Sequence, residues 1–212
     1  MKDIPLFTTE HGVASLVLRE IPYTAKAYIR IGSSLEPGLL LQECRDFCRA
    51  VGAEEIFATG DPAVEDYPFS GSILRMTCLR QNLPDTDAAL FPVQEHTLPQ
   101  WRALYNEKAS KITNAAWMTD SDGKDMLAKG DGYFVHRGDT LLGIGRACGN
   151  EIRWVASCVP GGGEDVVKAL ANATTGEILC LEVASTNEKA MALYQRLGFT
   201  VTGEISSWYR IV

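Results

Sequence analysis

Asn187 and Tyr194 are the pair in this sequence whose types and spacing best suit chemistry. At about 100° per residue they fall, with Ala190, within a narrow arc of one helix face, about 10 Å apart along the axis. An amide and a phenol on the same side, both able to hydrogen-bond, are an odd ornament for a purely structural stripe. They also fit a structural role, Asn187 as a first-turn polar residue and Tyr194 as a core aromatic with its hydroxyl at the edge. Upstream lies Gly161-Gly162-Gly163-Glu164-Asp165. Successive backbone N–H groups of a glycine-rich turn at a helix start suit an anion such as a pyrophosphate. The two acids oppose that use, whereas in an unliganded first turn each complements the helix dipole by about 0.3–1 kcal/mol.

Positioning these residues requires a strand on either side of the glycine turn. Ile152 to Val159 reads as a central strand leading into it, and Val166, Val167, Ala169 and Leu170 begin the helix that follows. From Ile178 to Val183, Leu179, Leu181 and Val183 alternate with Cys180, Glu182 and Ala184, the mark of a strand with a buried face. Ser185 with Glu188 has capping-box spacing, Ala190, Met191, Tyr194 and Leu197 form a helical stripe, and Gly198 supplies a left-handed stop.

Earlier in the chain, Gly12–Ile21 and Lys26–Ile31 read as strands, Leu39–Val51 as a helix, Glu55–Ala58 as a short strand and Ile73–Leu79 as another. Leu90–Val93 suits a sheet edge because it contains Pro92, and Leu98-Pro99 opens a helix carrying Trp101, Leu104, Tyr105 and Ala109. Ser121-Asp122-Gly123 reads as a breaker in a segment, 115–130, that shapes an acceptor pocket. A hairpin is expected around Arg137-Gly138-Asp139. Two strand–helix–strand units, 28–58 and 152–183, match in order and spacing though hardly in residues, so the first half reads as a decayed or partial copy of the second; an independent small sheet is the other reading. The polar joint Leu83–Asp87 divides the chain into expected domains 1–85 and 86–212.

With 212 residues, 46% apolar and 22% charged, the chain can bury a core and has no disordered character. The start lacks the basic and apolar regions of a signal peptide and no run is long enough to span a bilayer, so cytoplasmic residence without a membrane partner is expected. A net charge of -7 argues against nucleic acid and is compatible with a cationic amine. The six cysteines lie mostly in apolar segments without a CxxC pair, and His11, His96 and His136 are scattered, so reduced thiols and no metal are expected. Cys158 has no histidine near it in sequence and reads as a buried strand cysteine rather than a nucleophile. A homodimer is compatible with the sequence.

Strand, then Asn187-x-x-Ala190-x-x-Leu193-Tyr194-x-x-Leu197-Gly198-Phe199, resembles the last sequence motif of the GNAT superfamily of N-acetyltransferases, and the closing Trp208-Tyr209-Arg210 is also similar to that family. The resemblance covers chiefly residues 90–212. It implies an α/β (α+β) fold with a mixed, mostly antiparallel sheet flanked by helices, in a tandem arrangement with a truncated first repeat. It implies acetyl-CoA as co-substrate, no metal, and direct transfer of the acetyl group to a small-molecule amine. Ser157, Cys158, Val159, Gly161, Gly162, Gly163 and Glu164 then correspond to the cofactor strand and loop, with a backbone N–H near Cys158 or Val159 polarising the thioester carbonyl. Asn187 and Ala190 meet the cofactor arm, and Tyr194 protonates the departing thiolate. Glu151 lies near where histone-type members carry a catalytic glutamate, with Glu182 as second choice; each also suits a solvated strand end. The loop departs from the family pattern of Arg or Gln before Gly-x-Gly-x-Gly/Ala: Gly162 or Gly163 stands at the arginine position. A fold retained without its chemistry, acting as a ligand-binding or interaction module, is therefore the alternative.

Overall fold

The structure is a computed structural model that describes residues 1–112 and 115–212. The chain forms two compact units, Met1–Ser72 with Glu204–Val212, and Ile73–Gly203. The sequence boundary at residue 85 thus falls inside the second unit, because the polar joint is a connection within it.

In the first unit β1 (Ile4–Thr9) and β2 (Gly12–Val17) form a hairpin. A single helical turn, α1 (Ile21–Thr24), precedes β3 (Lys26–Ser34), then α2 (Pro37–Ala50) and β4 (Glu55–Thr59) follow. Two strands pass from one unit into the other, β5 (Phe69–Leu79) and the last strand, β11 (Thr200–Arg210). The order in this unit is β1-β2-β3-β4-β11, with β3 and β4 parallel and Tyr209 and Arg210 paired antiparallel to Ala58 and Phe57. Ala27, Ile29 and Ile31 alternate on one face of β3 and join Leu40, Leu41, Cys44 and Cys48 of α2 in a single core. β1 was not legible as a strand, and β2 stops at Val17 because Pro22 starts a helical turn.

The second unit adds β6 (Ala89–Pro92), α3 (Leu98–Ala109), α4 (Asp120–Lys129), β7 (Gly132–Arg137) and β8 (Thr140–Cys148). It continues through β9 (Glu151–Ser157), α5 (Gly163–Asn172), β10 (Ile178–Ala184) and α6 (Glu188–Arg196). Strand order is β5-β10-β9-β8-β7-β6, antiparallel except for β9 with β10. β6 is the edge, as Pro92 requires. Val166, Val167 and Leu170 of α5, with Tyr194 and Leu197 of α6, share a core with Leu179, Leu181 and Val183. Trp101, Tyr105 and Met126 from α3 and α4 pack with Phe134, Ile144 and Ala156 in another. The architecture is therefore mixed α+β, with mostly antiparallel strands flanked by helices.

Two local expectations change. Ser121-Asp122-Gly123 begins α4 rather than breaking a helix: Thr119 caps it and Asp122 returns the bond. In β9, Trp154 pairs with Arg146 but Ile152 with Ala147, so Arg153 is an extra, bulged residue. The bulge shifts the alternation: Ile152 joins the α5 core, whereas Trp154 packs against Tyr105 with ring centroids 4.3 Å apart.

The glycines of β8 let α5 lie close to the sheet. A Cβ at Gly143 would stand 2.3 Å from the Ala156 carbonyl oxygen and 2.6 Å from Val166 Cγ2. Gly143→Ala is expected to cost about 1–3 kcal/mol by overpacking, read as a lower urea midpoint with an unchanged m-value.

Candidate functional site

The two strands that carry the candidate residues pair at one end only. β9 and β10 share the register Glu151↔Cys180 and Ile152↔Leu181, and the pairing stops where Arg153 bulges. Among the described residues no β9–β10 ladder continues beyond that point, and the backbone there borders a cleft. Arg153, Trp154, Val155, Glu182, Val183, Ala184, Asn187 and Tyr194 line it, and its volume of about 70 Å³ makes it a narrow slot.

Helix α6 brings Asn187 and Tyr194 to this slot together, as their spacing predicts. The capping residue is Asn187 itself: its Oδ1 accepts the Ala190 N–H at 3.2 Å. This corrects the Ser185–Glu188 capping box, since the helix starts three residues after Ser185. At the other end Gly198, with φ 87°, permits a Schellman stop. Its N–H donates to Gln195 O, the Phe199 N–H donates to Tyr194 O, and the Tyr194 and Phe199 rings lie 6.0 Å apart. Tyr194 is buried, which pushes its phenol up to about 12 and keeps it protonated at neutral pH.

The glycine turn follows β9 directly. Pro160 and Gly161 occupy the centre of a type II turn, closed by the Gly162 N–H on Val159 O at 3.2 Å, and Gly161 has the required positive φ of 78°. The Ser157 hydroxyl donates to the same Val159 oxygen at 2.5 Å, ending the strand at Ser157 rather than at Val159. α5 begins at Gly163 and its N-cap, Gly162, makes no side-chain cap bond, so its first-turn N–H groups have no side-chain cap. A Cβ at Gly163 would lie 3.1 Å from Leu193 Cδ2, which places the turn against the helix bearing Asn187 and Tyr194.

The two acids of this turn are drawn aside. Glu164 pairs with Lys168 at 2.6 Å, and Asp165 pairs with Arg137 at 2.8 Å while accepting from Thr86 Oγ1 at 3.1 Å. Arg137 also binds Asp87 at 2.7 Å. Both acids thus have a cation beside them, Lys168 one helical turn on and Arg137 from the end of β7, the latter shared with Asp87 and not disclosed by the local sequence.

Other candidates fall differently. Glu151 stands at the joined end of β9 and β10, binds Arg153 Nε at 2.9 Å, and is absent from the cleft lining. Glu182 lines the cleft and accepts from Arg75 of β5, its cross-strand partner, at 3.4 Å. The Cys158 N–H is already bonded to Leu142 O at 2.8 Å, which withdraws it as an oxyanion donor and leaves Val159. Burial raises the Cys158 thiol, against a smaller opposing effect of Lys108, so it is a poor nucleophile at neutral pH. All six cysteines are free thiols. Among the described residues no group of His, Cys, Asp or Glu is arranged to hold a metal ion, and no helix is long and apolar enough to cross a membrane. Arg153 was missed because nothing in an isolated strand sequence marks a bulge.

Two measurements follow from α6. Asn187→Ala is expected to lose about 1 kcal/mol of stability with the cap, and Asn187→Asp to recover most of it in denaturant titrations. Because the folded pKa of Tyr194 lies above its unfolded value of 10.0, its contribution is complete below pH 10.0 and is lost as pH rises to about 12. Wild type should therefore lose on the order of 3 kcal/mol relative to Tyr194→Phe over that window, measured by alkaline denaturation of both.

No family model and no curated protein matches the chain. Solved structures do. A GCN5-related N-acetyltransferase from Sphaerobacter thermophilus is 13% identical with a TM-score of 0.62, over 93% of this chain and 75% of that one. A putative acetyltransferase from Pyrococcus horikoshii is 10% identical with a TM-score of 0.63, over 95% and 69%. An acetyltransferase from the GNAT family of Colwellia psychrerythraea is 14% identical with a TM-score of 0.51, over 97% and 84%. At such identities the likeness is one of fold, and together with the parted strands, the glycine turn and the Asn187–Tyr194 helix it identifies the fold of this chain as that of the GNAT acetyltransferases.

Proposed function

We propose that the second unit is an acetyl-CoA-dependent N-acetyltransferase acting on the primary amine of a small molecule. The observation that carries this reading is the slot between β9 and β10, where unpaired backbone meets Asn187 and Tyr194. A narrow chain with amide groups, such as the pantetheine arm, suits such a slot because it can replace the missing ladder bonds. First-turn N–H groups of α5 would receive the pyrophosphate, their acids being held by Lys168 and Arg137. Asn187 caps α6 through Oδ1 and keeps its amide donors for the arm.

In the reaction the amine nitrogen attacks the thioester carbonyl carbon, the C–S bond breaks and the amide bond forms. Tyr194, protonated at neutral pH, gives its hydroxyl proton to the departing thiolate and regains one from solvent. The amine must shed a proton, and Glu182 rather than Glu151 is the better acceptor because it borders the slot. The Val159 N–H is the remaining candidate to polarise the carbonyl oxygen.

The first unit repeats the strand–helix–strand order without the slot. β3 and β4 stay paired from Lys26↔Glu55 to Arg30↔Thr59, and α2 begins with Pro37, which has no N–H to offer. This supports reading it as a partial copy that leaves binding to the second unit. The missing arginine or glutamine of the loop favours the alternative, a ligand-binding or interaction module without turnover.

Calorimetric titration with acetyl-CoA, beside a thiol-release assay on a panel of amines, separates these readings. Micromolar binding with turnover is expected, and Tyr194→Phe should lower turnover about 100-fold at unchanged affinity. Binding without release of thiol for any amine would support the module, and no binding at millimolar cofactor would remove the enzyme reading and leave the module.

A further inference from the structure

We propose that Asp131 is the positioning residue for the bulge in β9, holding Arg153 and with it the backbone that opens the slot. The proposal rests on reading the slot as the acetyl-CoA site.

Asp131 lies between Gly130, the left-handed cap of α4, and the start of β7, and its side chain is only 1% exposed. Its carbonyl accepts the Ala147 N–H at 3.0 Å, fixing it to β8 at the register shift. Its carboxylate receives Arg146 in a forked arrangement, Nε at 3.1 Å and Nη2 at 2.7 Å, and Arg153 Nη1 at 3.4 Å. Glu151 takes the Nε of Arg153 at 2.9 Å. Two carboxylates and two guanidinium groups therefore balance, which is what a carboxylate this deeply buried requires.

Two of these bonds, to Asp131 and to Glu151, come from Arg153, the one residue of β9 that the ladder leaves over. A bulged residue has no cross-strand partner to fix its backbone, so its side chain becomes the restraint. Arg153 is restrained on both sides, by a carboxylate from its own strand and by one anchored to β8. A stability role alone would not place both on the residue where the pairing of β9 and β10 ends.

Arg153→Gln and Asp131→Asn test this. Arg153 is 38% exposed and its loss leaves the Asp131–Arg146 pair intact, so the first variant should melt close to wild type. It should nonetheless bind acetyl-CoA about tenfold or more weakly, and without ligand the Trp154 and Val155 amides should exchange faster while those of β7 and α4 do not. Asp131→Asn should show the same exchange pattern, which distinguishes anchoring from direct contact between Arg153 and ligand. Wild-type affinity and unchanged exchange in folded variants would overturn the proposal. If wild type binds no acetyl-CoA, the reading of the slot falls, and the exchange rates alone decide whether Asp131 anchors the bulge.

Discussion

Parallel strands joined at one end and parted at the other give up the ladder bonds between them, and the second unit is arranged around that cost. Arg153 ends the pairing of β9 with β10 after Ile152↔Leu181. The same extra residue sends Ile152 and Trp154 to opposite faces, so α5 and α3 both find apolar surface along one strand. α6 then sets a cap residue and a buried phenol beside the opened backbone.

Electrostatics around the glycine turn follow from the same placement. A helix start without a side-chain cap presents positive potential, and acids at its second and third positions would ordinarily consume it. Lys168, one turn along α5, and Arg137, from the end of β7, take those carboxylates instead. Polarity of the turn is thus set by neighbours outside it.

The two strand–helix–strand units show how small differences decide whether a site forms. Both join parallel strands through a helix with an apolar face. Continuous pairing through Arg30↔Thr59 uses the ladder bonds that the second unit leaves open. Proline at the start of α2 removes an N–H that glycine at the start of α5 retains.

Elements whose signals lie among near neighbours were legible in the residues themselves. The hairpin at Gly138, the stripe and glycine stop of α6, the glycine turn before α5 and the edge position of Pro92 all depend on residues a few places apart. Asn187 and Tyr194 could be paired on one face for that reason. Short-range signals also misled, as where Ser185 matched a capping pattern that Asn187 fulfils, and Ser121-Asp122-Gly123 looked like a break although Thr119 made it a start. What tertiary structure decided involves partners distant in the chain: the bulge at Arg153, its tether to Asp131, and the Arg137 that holds Asp165, whereas the ion pairs Glu151–Arg153 and Glu164–Lys168 join residues on the same strand or helix turn. Local sequence determines conformations that near neighbours stabilise. Which charges are matched and which backbone groups stay open depends on burial and cross-strand register, which arise only when the strands assemble.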